Sequence, residues 1–130
     1  MRVRDFEPRD LAALRRIFEA QQFEYDFPED PSIFTSIRVL VDETDTPVMA
    51  LAARPTVEMF MFMDPTWRTP GWRSAAFTTL HEDMRQQLIQ RGYTDVHAWL
   101  PPEIAKSFGR RLMRTFGWVK QLWPSYSRKL

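Results

Sequence analysis

The passage with the clearest chemical pattern lies near the middle of the chain, at residues 68–74. It precedes a segment with the apolar spacing of a helix, whose amino end offers free backbone N–H groups and a partial positive charge. Gly71 allows the backbone to approach an anion closely. The pattern predicts a site for a phosphate-bearing ligand, although a solvated loop is the alternative. The predicted ligand-binding residues are Arg68, Thr69, Gly71, Trp72, Arg73 and Ser74.

Two ionisable residues outside this passage are candidates for proton transfer. Glu58 lies in the apolar run 57–63 and could take a proton from a substrate directly or through water. His97 lies in the run 93–100, and histidine titrates near neutral pH, so it could act as a base or an acid. Each has a simpler alternative, because Glu58 could be an exposed charge at a strand start and His97 a structural histidine. His81 shares no face with the apolar residues of its helix, so we expect it to be solvated.

The composition limits the class of protein. A chain of 130 residues with 44% apolar residues fits one globular domain spanning residues 1–130. Its formal net charge of +1 argues against a dedicated nucleic-acid binder. The absence of cysteine and the presence of only two histidines predict no metal site. No signal peptide and no run of ~20 apolar residues is visible, so we expect a cytoplasmic protein that does not bind a membrane.

Hydrophobic periodicity predicts the elements that position these residues. Helical spacing predicts three helices: one that begins at Asp10, one from residue 74 to Arg91, and one from Ile104 to Phe116. The order of elements predicts an α/β (α+β) fold with a mixed, mostly antiparallel central sheet, one parallel strand pair and helices on both faces. The predicted strands are residues 2–6, 37–41, 48–54, 57–63 and 93–100, with two short candidates in the tail from 118 to 130.

This order and the central loop resemble the GNAT superfamily of N-acetyltransferases. Residues 68–75 look like the family's (Gln/Arg)-x-x-Gly-x-(Gly/Ala) loop between a strand and a helix. Residues 104–118 look like its last helix, whose Gly-Phe ending is here Gly117-Trp118. The resemblance implies an acyl-CoA cofactor such as acetyl-CoA, held at the loop. It also implies direct attack by a primary amine of a small molecule or peptide and, as in many relatives, pairing as a homodimer.

Three positions depart from the family pattern. Arg73 occupies the last small position of the loop, and Lys106, which we include in the predicted cofactor site, replaces a frequent asparagine. Met113 replaces the tyrosine that usually protonates the leaving thiolate, and methionine has no proton to give. Tyr126 in the tail is the candidate replacement acid. These departures keep open an alternative, a non-catalytic GNAT-like module that binds CoA or a partner protein.

Two charged regions have further alternatives. An aromatic segment at residues 23–27 falls where the family builds its acceptor site, and acids beside aromatic rings suit a cationic amine. A loop fixed to the core by its aromatic rings is equally compatible. A basic cluster near the carboxyl end could dock on nucleic acid or form a solvated helix face. The acids are Glu24, Asp26, Glu29 and Asp30, and the bases are Lys106, Arg110, Arg111 and Arg114.

Overall fold

The computed structural model describes residues 1–130. Residue contacts group into two compact units, Met1–Thr56 and Val57–Leu130, which we call the amino-terminal unit and the carboxy-terminal unit. The chain contains three α-helices and one three-stranded antiparallel sheet, which confirms a mixed α and β protein. The sheet has fewer strands than the sequence predicts. The assignment of residues 1–130 to one domain stays a prediction.

The amino-terminal unit contains the sheet. Both neighbouring strand pairs are antiparallel, with Val3 opposite Leu40 and Leu40 opposite Met49. The tight turn between the second and third strands is held by Asp42, whose carboxylate accepts two backbone N–H groups of the turn at 2.9 and 3.0 Å. A turn this short can join only antiparallel neighbours. The strands, in spatial order, are β1 (Arg2–Asp5), β2 (Ser36–Val41) and β3 (Pro47–Ala53).

One helix, α1 (Leu11–Gln21), packs against this sheet at β3. Alternate residues of a strand face the same side, and Val39 and Val41 of the central strand β2 are fully buried on one side. These two valines form the aliphatic core of the unit. Two single turns of 3-10 helix complete it, at Pro8–Asp10 and Pro31–Ile33.

The carboxy-terminal unit is built on two helices, α2 (Pro70–Gln90) and α3 (Pro102–Phe116). Phe77 of α2 contacts two rings of α3 edge to face, those of Phe108 and Phe116, at centroid distances of 5.4 and 5.2 Å. Leu112 of α3 is 6% exposed. The core of this unit is therefore largely aromatic.

Further contacts join α2 to α3 and to the residues that follow it. Arg111 of α3 donates a hydrogen bond to Ser74 of α2, and His81 of α2 contacts the rings of Phe116 and Trp118. α3 ends at Gly117 with a φ of +73°, a left-handed conformation that glycine adopts without strain.

The predicted parallel strand pair does not form, and this part of the fold prediction is wrong. Residues 57–63 and 93–100 contain no strand and are joined by one parallel bridge, between Glu58 and His97. Five of the seven residues at 57–63 are Met or Phe, so the run is apolar but poor in β-branched residues. Phe60 and Phe62 remain exposed. The two tail strands are also absent, since residues 117–130 have no regular structure.

Candidate functional site

The amino end of α2 has a free backbone donor. Thr69 caps the helix, because its Oγ1 accepts the Trp72 N–H at 3.4 Å and its carbonyl accepts the Arg73 N–H at 3.0 Å. Pro70 has no N–H group, and first-turn amides have no acceptor within their own helix. The donor of this turn that remains for a ligand is therefore the N–H of Gly71.

The protein fold does not require a glycine at position 71. A Cβ atom placed on Gly71 would meet nothing nearer than Thr69 Oγ1, at 3.9 Å, which is an ordinary contact. Glycine lowers helix stability relative to alanine, so a helical glycine without a packing reason is consistent with close approach of a ligand.

Arg68 places a positive charge beside this donor. Its guanidinium lies over the rings of Trp72 and Trp67, at 4.9 and 5.6 Å from their centroids. Contact with a ring face restricts the guanidinium but leaves its in-plane N–H groups available to an anion. Its backbone has a φ of +52°, in the left-handed region that residues other than glycine rarely adopt. Arg68 and Gly71 thus form the part of the predicted site that is open to a ligand.

Two other predicted ligand-binding residues bond within the protein. The Arg73 Nη1 atom donates to the carbonyls of Trp67 and Arg68, at 3.0 and 2.8 Å, so it stabilises the loop. The hydroxyl of Ser74 accepts a hydrogen bond from Arg111 of α3. The sequence did not single out Arg111 for this role, which depends on a contact between two helices distant in sequence.

The carboxylate nearest the loop, Asp64, closes a turn. It accepts the backbone N–H and the hydroxyl of Thr66 at 2.8 and 2.7 Å. These hydrogen bonds, from the hydroxyl first, lower the pKa of Asp64 below its ordinary value. A carboxyl with a lowered pKa is a weaker base, so these contacts fit a role in the turn better than a role in proton transfer.

The structure brings the two predicted proton-transfer residues together. Glu58 and His97 are partners in the single parallel bridge, in which the His97 N–H donates to Val57 and the Met59 N–H donates to the His97 carbonyl, both at 2.8 Å. Along the chain, residues 57–63 precede the α2 loop and residues 93–97 follow the end of α2. Their roles in catalysis stay predictions.

His97 has a carboxylate neighbour and faces a cavity. Its Nε2 atom lies 3.2 Å from an oxygen of Asp95, an arrangement that can hold the imidazole in one tautomer and leave Nδ1 as the basic nitrogen. The cavity measures about 470 Å³ and lies between the second half of α2, residues 93–97 and residues 116–121. This volume is within the range of small-molecule sites. The arrangement could support a base acting on a ligand of that size.

The prediction that His81 is solvated is wrong. His81 is 8% exposed and lies between Phe77, Phe116 and Trp118, with its Nε2 accepting the indole N–H of Trp118 at 2.9 Å. Burial lowers the pKa of His81, which keeps the imidazole neutral and able to accept. The spacing of α2 gave no sign of this, because the residues that cover His81 come from the end of α3.

Three residues of the predicted chemistry lie apart from the α2 loop. Lys106 is exposed on α3, about 160° around the helix from Phe108, which contacts α2. Met113 is exposed on the same helix. Tyr126, the candidate acid, is 92% exposed in the tail and lies in no regular element. The assignments of Lys106 to the cofactor and of Tyr126 to proton donation stay predictions.

The predicted acceptor segment packs on its own unit. Phe18 of α1 makes edge-to-face contacts with Tyr25 and Phe27, at 5.1 and 5.4 Å between centroids. Glu29 forms an ion pair with Arg15, and Asp30 accepts a backbone N–H in the following turn. The aromatic rings therefore fix this loop to α1, as one of the two interpretations predicted.

Comparison with known proteins adds no relative. No family model, no curated protein and no solved structure matches the chain. The structure holds no group of three His, Cys, Asp or Glu side chains arranged to bind a metal ion. None of its helices combines the length and apolar character that crossing a membrane requires.

Proposed function

We propose that the chain binds an acyl-CoA and transfers the acyl group to a primary amine, in the manner of the GNAT family that its sequence resembles. The observation that carries the proposal is Gly71. It lies in the first turn of a long helix, exposes a backbone donor, and has no role in packing that would require glycine. A polyphosphate is the kind of ligand that such a helix end binds.

The residues present at the loop fit a pyrophosphate in part. Arg68 would hold it through its charge and Gly71 through its backbone N–H. Thr69 and Arg73 stabilise the loop, and the ring of Trp72 contacts the Arg68 guanidinium. When bound, the coenzyme supplies an activated thioester. Proton removal from the amine is the task of Glu58 or His97, which the parallel bridge holds side by side.

The alternative is a module that binds the coenzyme, or a partner protein, without catalysis. Two features favour it. Position 113 holds a methionine, which has no dissociable proton, and Tyr126 is distant in sequence from the α2 loop and lies in no regular element. Binding and turnover must therefore be measured separately.

Isothermal titration calorimetry with acetyl-CoA and free CoA tests binding. We expect saturable binding to the wild-type chain and no binding to Gly71→Glu, because the new carboxylate repels the phosphates and occupies their position. Ala75→Glu is the matched control, since it adds the same charge one turn further along an exposed part of α2. Absence of binding to the wild-type chain at millimolar coenzyme would overturn the proposal.

Release of the thiol from acetyl-CoA in the presence of a panel of amines tests turnover. The chain contains no cysteine, so a colorimetric thiol reagent reports coenzyme thiol without background from the protein. We expect amine-dependent release that falls by about 10²-fold or more in the Glu58→Gln or the His97→Gln variant, whichever residue is the base. Binding with no release for any amine would establish the non-catalytic module.

A further inference from the structure

The carboxy-terminal unit carries an excess of positive charge that the proposed function does not use. Residues 57–130 contain eleven Lys and Arg against six Asp and Glu, a net charge of +5. Much of this charge lies on α3 and in the tail that follows it. Of the four bases on α3, Arg111 is directed to Ser74 and lies over the rings of Phe77 and Phe116. The other three remain for solvent or a partner.

Lys106, Arg110 and Arg114 form a regular row, which we call the basic row. They recur every four residues, so each is about 6 Å further along the helix axis and about 40° around it. All three side chains are exposed. The opposite face of α3, with Phe108 and Phe116, packs on α2. The basic row therefore points outward from the unit over a length of about 12 Å.

The three bases of the basic row form no ion pair. Like charges four residues apart lower helix stability, so the basic row lowers the stability of α3, and no ion pair offsets this loss. Salt bridges in this unit involve other residues, such as Arg85 with Glu82. An outward row of unpaired cations with regular spacing complements a polymer of regularly spaced negative charges.

We propose that the basic row of α3 binds the phosphate backbone of nucleic acid without reading its base sequence. A single small phosphate could engage one member of the row, whereas a phosphate backbone engages all three at once. A membrane surface fits less well. Beside the basic row the outer face carries one exposed apolar side chain, Met113, together with Glu103 and Ser107, whereas an interfacial helix inserts a continuous apolar face.

Fluorescence anisotropy of labelled 20-nucleotide single-stranded and duplex DNA, and of single-stranded RNA, tests the proposal on the full chain. We expect similar affinity for unrelated sequences. The logarithm of the binding constant should fall linearly with the logarithm of salt concentration. Three phosphate contacts predict a slope of about −2.7 for a duplex and about −2.1 for a single strand.

A triple variant separates the basic row from net charge. Lys106→Gln with Arg110→Gln and Arg114→Gln should weaken binding about tenfold or more at 50 mM salt and abolish most of the salt slope. The matched control removes three exposed charges elsewhere, through the substitutions Arg16→Gln, Arg85→Gln and Arg91→Gln. We expect it to retain the wild-type slope. Circular dichroism should show unchanged helix content in both variants.

Three results would overturn the proposal. One is no anisotropy change with any nucleic acid at 50 mM salt. Another is an equal loss of binding in the control variant, since net charge alone would then explain the effect. The third is binding to phosphatidylserine vesicles by the wild-type chain, lost in the basic-row variant, together with no binding to nucleic acid. None of these outcomes depends on whether the chain binds a coenzyme.

Discussion

The two units of the chain treat charge in opposite ways. The amino-terminal unit has seven Lys and Arg against eleven Asp and Glu, a net charge of −4, and the carboxy-terminal unit has +5. Yet three arginines of the acidic unit converge on one carboxylate, Asp45, at 2.5 to 3.2 Å. In the basic unit, the row on α3 has no such partners. A net charge of +1 for the whole chain therefore says little about what either unit binds.

The two units also differ in how a buried polar side chain is satisfied. Asp10 in the amino-terminal unit is 2% exposed and accepts two hydrogen bonds from the Arg4 guanidinium, at 2.8 and 2.9 Å. His81 in the carboxy-terminal unit is neutral and accepts one hydrogen bond from an indole. One unit thus depends on a charged pair and the other on aromatic packing around an uncharged imidazole. Each can be disturbed without direct damage to the other type of interaction.

The largest effect is expected from Asp10→Ala in the amino-terminal unit. It removes the acceptor of two hydrogen bonds from the Arg4 guanidinium, which keeps Asp45 as a remaining partner, and should cost about 3 kcal/mol of unfolding free energy. Hydrogen exchange of the Val39 and Val41 amides reports this unit. Asp5→Ala is the control, because Asp5 pairs with Arg38 in solvent and should matter far less. Equal effects of the two substitutions would contradict the role assigned to the buried pair.

The next effect is expected from Leu112→Ala in the carboxy-terminal unit, about 2–3 kcal/mol from lost burial and the cavity left behind. All five tryptophans lie in this unit, so tryptophan fluorescence during urea unfolding measures it alone. Met113→Ala, at the next position and exposed, should cost under about 1 kcal/mol. A similar loss for both would mean that the contact of α3 with α2 is not a packed core.

The sequence predicted local structure better than the contacts between distant segments. The helix ending at Gly117 and the strands β2 and β3 were found within one or two residues of their predicted bounds, because capping and hydrophobic spacing are local signals. The apolar run 57–63 was predicted as a strand, yet a strand requires a hydrogen-bonding partner along its length, which periodicity does not reveal.

The candidate site follows the same rule. Residues 68–74 were predicted as a loop before a helix, whereas α2 already begins at Pro70 with Thr69 as its cap, so the predicted start was about one turn too late. The bond of Arg111 to Ser74 and the burial of His81 under Trp118 were not predicted, since each joins residues from two different helices or their ends. The bridge between Glu58 and His97 joins two segments that are separated in sequence by α2, so it too is a contact that local spacing does not reveal.

A smaller effect is expected from His81→Leu. It removes the acceptor of the Trp118 indole N–H, and an unsatisfied, partly buried donor costs about 1–2 kcal/mol at pH 7.5. His81→Gln is the control, because its amide oxygen can accept the same N–H. Tryptophan fluorescence in urea again measures the unit. No difference between the two variants would show that the hydrogen bond does not contribute.

Acid should affect the two units at different pH. Burial lowers the pKa of His81, so the unfolded chain takes up that proton first and the carboxy-terminal unit loses stability as pH falls below about 6.5. The hydrogen bond from Arg4 lowers the pKa of Asp10, so the stability that the ionised Asp10 contributes is fully present above pH 3.8 and is lost only below that pH. Unfolding followed by fluorescence and by Val39 exchange between pH 7.5 and 5 tests this order. His81→Gln should remove the pH dependence of the fluorescence transition.

The smallest effect is expected from Arg110→Glu, and its sign is informative. The substitution places a carboxylate between Lys106 and Arg114, each four residues away, so two repulsive pairs become attractive. The helix should gain about 0.4–1 kcal/mol, measured by tryptophan fluorescence at low salt, while nucleic-acid affinity falls. Repeating the measurement in 1 M salt should remove most of the gain, since exposed charges are then screened. A stability gain accompanied by a loss of binding is expected if the basic row is kept for a ligand, because a row maintained for folding would respond in the opposite direction.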